Sequence, residues 1–248
     1  MNKPFVQGLK DGFPIFLGYL SVSIAFGMSC VIMGIHTLEA VIISASNLTS
    51  AGQVAGSALM AAGASLVELL LTTLVINARY FLMSLSLSQK LDSSMTWWKR
   101  MLVAYGITDE IFAVEISQKH LSFPYMMGLI LISALGWVSG TLIGATAGEL
   151  LPAPAASALN IALYAMFIAI VLPPARTDRG IQLCAIVSVV LSCLFSVLPG
   201  FKEISSGYAV IIVTLIVSTF CAWKAPRREE DEEEQEQDEI VVREEEVL

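Results

Sequence analysis

Residues 121–148 read LSFPYMMGLILISALGWVSGTLIGATAG, twenty-eight consecutive positions without a charged side chain. A bilayer core of about 30 Å is crossed by roughly 20 apolar residues of helix rising 1.5 Å each, so this run is long enough to span. Working outward, residues 12–38, 40–67, 150–175, 180–201 and 204–223 are also free of charge, and each run is at least 20 residues long. Two further stretches are apolar but interrupted: 69–89 carries Arg79, and 101–118 carries Asp109, Glu110 and Glu115. With 56% apolar and 15% charged residues, against about a quarter charged in soluble domains, the chain reads as an all-α, polytopic membrane bundle. Helices are expected because lipid leaves backbone amides no outside partner, and the ten-residue alternation of barrel strands is absent.

The formal charge of −8 is unevenly distributed. Residues 227–248 hold twelve acids and three bases, whereas residues 1–226 hold ten acids and eleven bases. The first 226 residues therefore form the expected transmembrane domain, and 227–248 an acidic, disordered cytoplasmic tail. No basic stripe suggests nucleic acid. The apolar run after Lys10 is too long for a removable signal and is expected to remain as the first span. Cys30, Cys184, Cys193 and Cys221 lie in apolar runs without metal-type spacing, so no metal, cofactor or disulfide is expected.

Lysine and arginine placement tests the topology. With eight spans and a cytoplasmic N-terminus, eight basic residues fall inside and four outside, the latter being Lys90, Lys99, Arg100 and Lys202. If 40–62 and 101–118 instead dip in and return, Lys90, Lys99 and Arg100 move inside, and the count becomes eleven against one. The expected arrangement is thus six full spans plus two broken or re-entrant segments, both termini cytoplasmic, with eight spans as the alternative. No sequence period is evident, which leaves an inverted structural repeat open.

The two segments expected to break, 40–62 and 101–118, are polar where irregular backbone would need satisfying. The first reads Ser44-Ala45-Ser46-Asn47-Leu48-Thr49-Ser50-Ala51-Gly52-Gln53, and the second contains Gly106-Ile107-Thr108-Asp109-Glu110. Helices broken at glycine and polar residues mark the midplane site of many transporters. A plainer role is also open: Gly52 and Gly56, with Ser57, let two helices pack closely. Arg79 lies mid-helix, where a charge normally faces the bundle interior and has a partner, and Asp109 or Glu110 is the expected one. Asn77 points to another side of an ideal helix, which suits local unwinding or a second contact. Glu68 is expected near the outer boundary, solvated. Arg79, Asp109, Glu110, Asn77, Gln53, Asn47, Ser46 and Gly52 are therefore the candidates for substrate binding or ion coupling.

An enzyme is disfavoured, since His36 and His120 fall at segment ends and no nucleophile motif accompanies the serines. Trp97, Trp98 and Lys99, like Trp223 and Lys224, suit interfacial anchors. A passive channel for small polar solutes and a non-transporting scaffold are the competing functions.

Taken together, Gly12-Phe13-Pro14, Phe26-Gly27, Ala51-Gly52-Gln53, Asn77-Ala78-Arg79-Tyr80, Thr108-Asp109-Glu110 and Leu135-Gly136-Trp137 with Gly140, Gly144 and Gly148 resemble the AzlC branched-chain amino acid permeases. The similarity covers about residues 5–223. It implies ion-driven export of branched-chain amino acids across the cell membrane, with a much smaller membrane subunit of the AzlD type as partner. The family commonly has Arg-His where this chain has Arg79-Tyr80. Tyrosine does not titrate near neutrality, so any proton coupling falls to a carboxylate, Asp109 or Glu110.

Overall fold

The apolar runs fold as helices in a computed structural model that describes residues 3–92, 94–118, 120–150, 168, 171–173, 175–176, 178–198, 200–201 and 204–224. In chain order they are α1 (Lys3–Asp11), α2 (Phe13–Ile32), α3 (Thr37–Ser46), α4 (Ser50–Ala61), α5 (Leu66–Ser88), α6 (Trp97–Tyr105), α7 (Asp109–Ile116), α8 (Phe123–Leu150), α9 (Arg179–Val197) and α10 (Ser206–Lys224). Among the described residues there is no strand, only an isolated bridge between Leu91 and Leu121. Also among the described residues, five helices, α2, α5, α8, α9 and α10, are long and apolar enough to cross a membrane. The expected span at 150–175 falls largely, and the acidic tail at 227–248 entirely, outside the described residues.

The described residues divide into two compact units, those within 1–170 and 206–211 and those within 171–205 and 212–224. In the second, Val213, Val217 and Cys221 pack with Cys184, Val187, Leu191 and Phe195. The candidate site belongs to the first.

The centre of the first unit is the close, parallel packing of α2 on α8. A methyl group on Gly136, Gly140 or Gly144 would strike the backbone carbonyl of Phe16, Leu20 or Ile24 in turn. The matched spacing of four fixes the register, and missing side chains bring the two backbones together, as small residues do between membrane helices. Aromatic packing closes the same seam: Trp137 of α8 meets Tyr19 edge-on at 5.2 Å and Phe26 at 6.5 Å.

The two segments expected to break are hairpins of half-helices. With 10 and 12 residues, α3 and α4 are each about 15–18 Å long, half a bilayer core. Helix α3 starts beside the α2 C-terminus, where Ala40 packs with Cys30 and Phe26, and Thr37 Oγ1 donates to Glu149 Oε1 of α8 at 2.6 Å. Beyond its end at Ser46 the chain reaches Leu48, packed with Tyr19 and Trp137 midway along α2 and α8. Helix α4 then returns, bringing Ser57 back to Cys30. The chain turns at Gly63, whose φ of +70° suits glycine, and Ser65 caps α5 by accepting from Glu68 N–H at 3.2 Å.

Helices α6 and α7, of 9 and 8 residues, make the second hairpin from the opposite end. Its entrance and exit are pinned together: Leu121 N–H donates to the Lys90 carbonyl, Asp92 N–H to the Leu121 carbonyl, both at 3.1 Å, and the Lys90 ammonium to the Ile116 carbonyl. Trp98 stacks edge-on against Phe123 at the start of α8, with the Lys99 ammonium over both rings. Each hairpin thus leaves on the side from which it enters, as the charge count favours over eight spans.

Candidate site at the hairpin tips

The polar cluster in the first hairpin is used mainly to build the break. Helix α3 ends where Asn47 becomes extended, and Asn47 Oδ1 accepts from Thr49 N–H at 2.9 Å and from the Thr49 hydroxyl at 2.6 Å. Ser46 remains in the last turn of α3, its hydroxyl donating to the Ile43 carbonyl at 3.1 Å. In the second hairpin Thr108 is the N-cap of α7, accepting from Ile111 N–H at 3.3 Å. Asparagine and threonine suit both breaks because short polar side chains satisfy the freed backbone locally.

Gln53 is 2% exposed and belongs to a closed ring of hydrogen bonds. Trp137 Nε1 donates to Gln53 Oε1 at 2.9 Å, and Gln53 Nε2 donates to Ser44 Oγ at 2.6 Å. Ser44 and Thr141 hydroxyls are 2.7 Å apart, and Thr141 Oγ1 donates to the Trp137 carbonyl at 3.0 Å. Because the Thr141 proton is committed, Ser44 is the donor in the middle pair, and the ring begins and ends on Trp137. All four side chains are buried and satisfied, so the ring ties the first hairpin to α8.

Helix α5 passes both tips without unwinding. Asn77 covers Gly52, where an added methyl group would lie 2.7 Å from Asn77 Oδ1. Arg79, two residues on, points to the second tip and pairs with Asp109, Nη2 to Oδ2 at 2.7 Å. The two side chains are 48% and 42% exposed, so the pair is open to the space beside it. Arg79 also donates to the Tyr80 hydroxyl at 3.3 Å and lies 5.1 Å from that ring. Glu110 accepts from Tyr19 Oη at 2.7 Å, and the same phenol oxygen is 2.5 Å from Thr108 Oγ1.

A recess of about 370 Å³, including the solvent at its mouth, opens among these groups. Arg79, Asp109, Glu110 and Thr108 form its polar side, while Val22, Leu48 and Trp137 supply apolar wall. Of the residues singled out in the sequence, Arg79, Asp109 and Glu110 line it; Gln53, Asn47, Gly52, Asn77 and Ser46 build the first tip around it. Tyr19, Ser50, Tyr80 and Trp137 also line it. Tyr19 carried one available signal, a phenol in the middle of an apolar run although tyrosine prefers the membrane interface. Glu68 departs from the solvated position expected of it: it is 5% exposed and accepts from Gly207 N–H at 3.0 Å. Among the described residues, no cluster of histidine, cysteine, aspartate or glutamate suits a metal ion.

Long apolar helices around two re-entrant hairpins define a multi-pass, all-α membrane protein with a polar recess at the hairpin tips. Residues 14–151 match the AzlC protein family, and the chain belongs to it. It is 34% identical over 216 residues to the inner membrane protein YgaZ of Escherichia coli, covering 84% of this chain and 85% of that protein. An uncharacterized membrane protein of Archaeoglobus fulgidus is 31% identical over 68% of this chain and 75% of its own length. The branched-chain amino acid transport protein AzlC of Bacillus subtilis is 24% identical over 55% of this chain and 54% of its own length. No solved structure matches the chain.

Proposed function

We propose that this chain is a secondary active transporter that exports branched-chain or similar apolar amino acids by alternating access at the hairpin tips. The observation that carries the reading is the half-exposed Arg79–Asp109 pair beside Glu110 in a recess whose remaining wall includes Val22, Leu48 and Trp137. An amino acid presents one carboxylate, one ammonium and an aliphatic side chain. Arg79 takes the carboxylate in bidentate fashion. Asp109, released from Arg79, or Glu110 receives the ammonium, so neither substrate charge is left unpaired at membrane depth. Val22, Leu48 and Trp137 receive the side chain. In the empty state Asp109 neutralises Arg79.

The similarity to a protein named for branched-chain amino acid transport supports this substrate class. A small AzlD-type membrane subunit belongs to the same proposal, as does coupling to an ion gradient. So does an orientation with both termini cytoplasmic, which puts Lys90, Lys99 and Arg100 on the cytoplasmic side, and so does an organisation of transmembrane residues 1–226 followed by an acidic tail.

Counterflow of labelled leucine or valine in proteoliposomes containing the chain and its partner tests the reading. Saturable exchange that falls at least tenfold in Arg79→Lys and Asp109→Asn is expected. Exchange at the parental rate in both variants overturns the assignment, and non-saturable flux of small solutes indicates a channel instead.

A further inference from the structure

Glu115 lies outside the recess, on the buried side of α7. It is 0% exposed, and among the described residues neither carboxyl oxygen has a hydrogen-bond partner. One turn earlier on the same face is Ile111, also 0% exposed, in a cluster with Leu87, Leu121, Tyr125, Met126 and Leu129. The charged and titratable groups around this position come from three elements. Tyr125 of α8 is within electrostatic reach of Glu115, and its hydroxyl donates to Asp11 Oδ2 at 2.9 Å. Asp11, the last residue of α1, also accepts from Gln7. The Lys90 ammonium, from the chain after α5, donates to the carbonyl of Ile116. None of these groups bonds Glu115.

A carboxylate sealed in this way, without a counter-ion, is the costliest form the group can take, so the residue is neutral here. The neutral acid also forfeits a hydrogen bond in this arrangement, since its O–H has no acceptor. Glutamate at this position is therefore poorly satisfied in either protonation state while the hairpin stays as seen. Only an arrangement that admits water to the α7 C-terminal turn accommodates the charged form. That turn is held at the mouth of the hairpin by Lys90, whereas the N-terminus of the same eight-residue helix carries Asp109 and Glu110 at the recess. The same half-helix thus links the two positions.

We propose that Glu115 is a proton-binding site of the transport cycle, carrying a proton in the sealed arrangement and releasing it to water when the α6–α7 hairpin moves. The carboxyl O–H bond breaks, the proton passes to water at the end of the bundle where Asp11 and Lys90 lie, and the carboxylate remains hydrated until it is reprotonated. The consequence for coupling rests on the transport reading above, but the protonation itself does not.

Two measurements on the full chain with its partner in proteoliposomes test this. In infrared difference spectra a protonated-carboxyl stretching band is expected that disappears in Glu115→Gln and shifts in Glu115→Asp. In transport, Glu115→Gln is expected to keep counterflow at equal pH within about twofold of the parent while losing at least tenfold of the acceleration given by a pH gradient. An unchanged band in both variants, or an unaltered gradient response in Glu115→Gln, overturns the proposal. If Glu115→Gln fails to insert, Glu115→Asp decides: an unshifted band overturns the assignment. Should the parent exchange no amino acid while the band still depends on Glu115, the transport reading falls and the proton site stands.

Discussion

The Tyr105 hydroxyl donates to the Ala45 carbonyl at 2.7 Å, joining the tips of two hairpins that enter from opposite ends of the bundle. Ala45 lies in the last turn of α3 and Tyr105 is the last residue of α6, so each half-helix ends against the other. One of the unsatisfied C-terminal carbonyls of α3 thus finds a partner that sequence distance would never suggest. Removing the phenol oxygen in Tyr105→Phe is expected to cost about 0.5–1.5 kcal/mol, the net worth of one such bond. A thermal denaturation series in detergent reads this as a modest fall in midpoint. An unchanged midpoint would show that the tips are not held by this contact.

The Arg79–Asp109 pair raises the question of whether it is only structural. Breaking it from one side leaves an uncompensated charge, whereas removing both partners does not. Arg79→Gln and Asp109→Asn should each lower thermal stability, and the double variant should recover most of that loss. Because both groups are about half exposed, solvent screens the interaction and each single loss should stay near 1 kcal/mol. Leucine exchange should not recover in the double variant, since the charges that hold the substrate are gone. Recovery of exchange along with stability would reduce the pair to scaffolding.

Gln53 should behave in the opposite way. In Gln53→Leu the Trp137 N–H loses its acceptor, and Ser44 loses the amide that donates to it. Burial makes each such loss costly, about 1–3 kcal/mol for a group left unsatisfied. Yield and melting temperature should fall sharply, while the folded fraction keeps a substrate KM close to that of the parent. A raised KM with intact stability would move Gln53 from the framework into the binding site.

The helical class, the two broken segments and the Arg79–carboxylate pairing are all legible in the sequence. Each follows from a local rule: charge-free runs long enough to span, polar residues and glycine where a helix breaks, and a mid-helix charge in need of an opposite one. Re-entrance was legible only through the distribution of Lys90, Lys99 and Arg100. The partners of Gln53 were not, because Ser44 and Trp137 are ordinary residues until the fold brings them together. Glu68 misled because its distance along the helix from Arg79 indicates depth but not which neighbours cover it; Gly207, 139 positions away, supplies the amide that satisfies it.

The α2–α8 seam makes a graded prediction. A methyl group at Gly144 would collide with the Ile24 carbonyl, backbone on which α2 depends, whereas one at Gly148 would meet Met28 Cα at 3.3 Å, a contact that a small shift relieves. Gly144→Ala should therefore cost about 1–3 kcal/mol or prevent folding, as overpacking does, and Gly148→Ala should be tolerated. Size-exclusion profiles and melting curves of the two variants compare them directly. Equal behaviour would mean that α2 and α8 separate easily, and the register argument would fail.

Re-entrance itself is open to a labelling test in a variant lacking the four native cysteines. His36 and Ala62 flank the first hairpin, and Lys90 and His120 flank the second. If each hairpin leaves where it enters, His36→Cys and Ala62→Cys react with a membrane-impermeant maleimide from one face of the membrane. Lys90→Cys and His120→Cys then react from the other face. Eight full spans would instead separate His36 from Ala62, and Lys90 from His120. The half-helices argue for the first outcome, because α3, α4, α6 and α7, at 8 to 12 residues, are each too short to cross about 30 Å, and each hairpin doubles back at its break. Labelling of one pair from opposite faces would require that hairpin to open into a continuous span, and the recess between the tips would not survive that change.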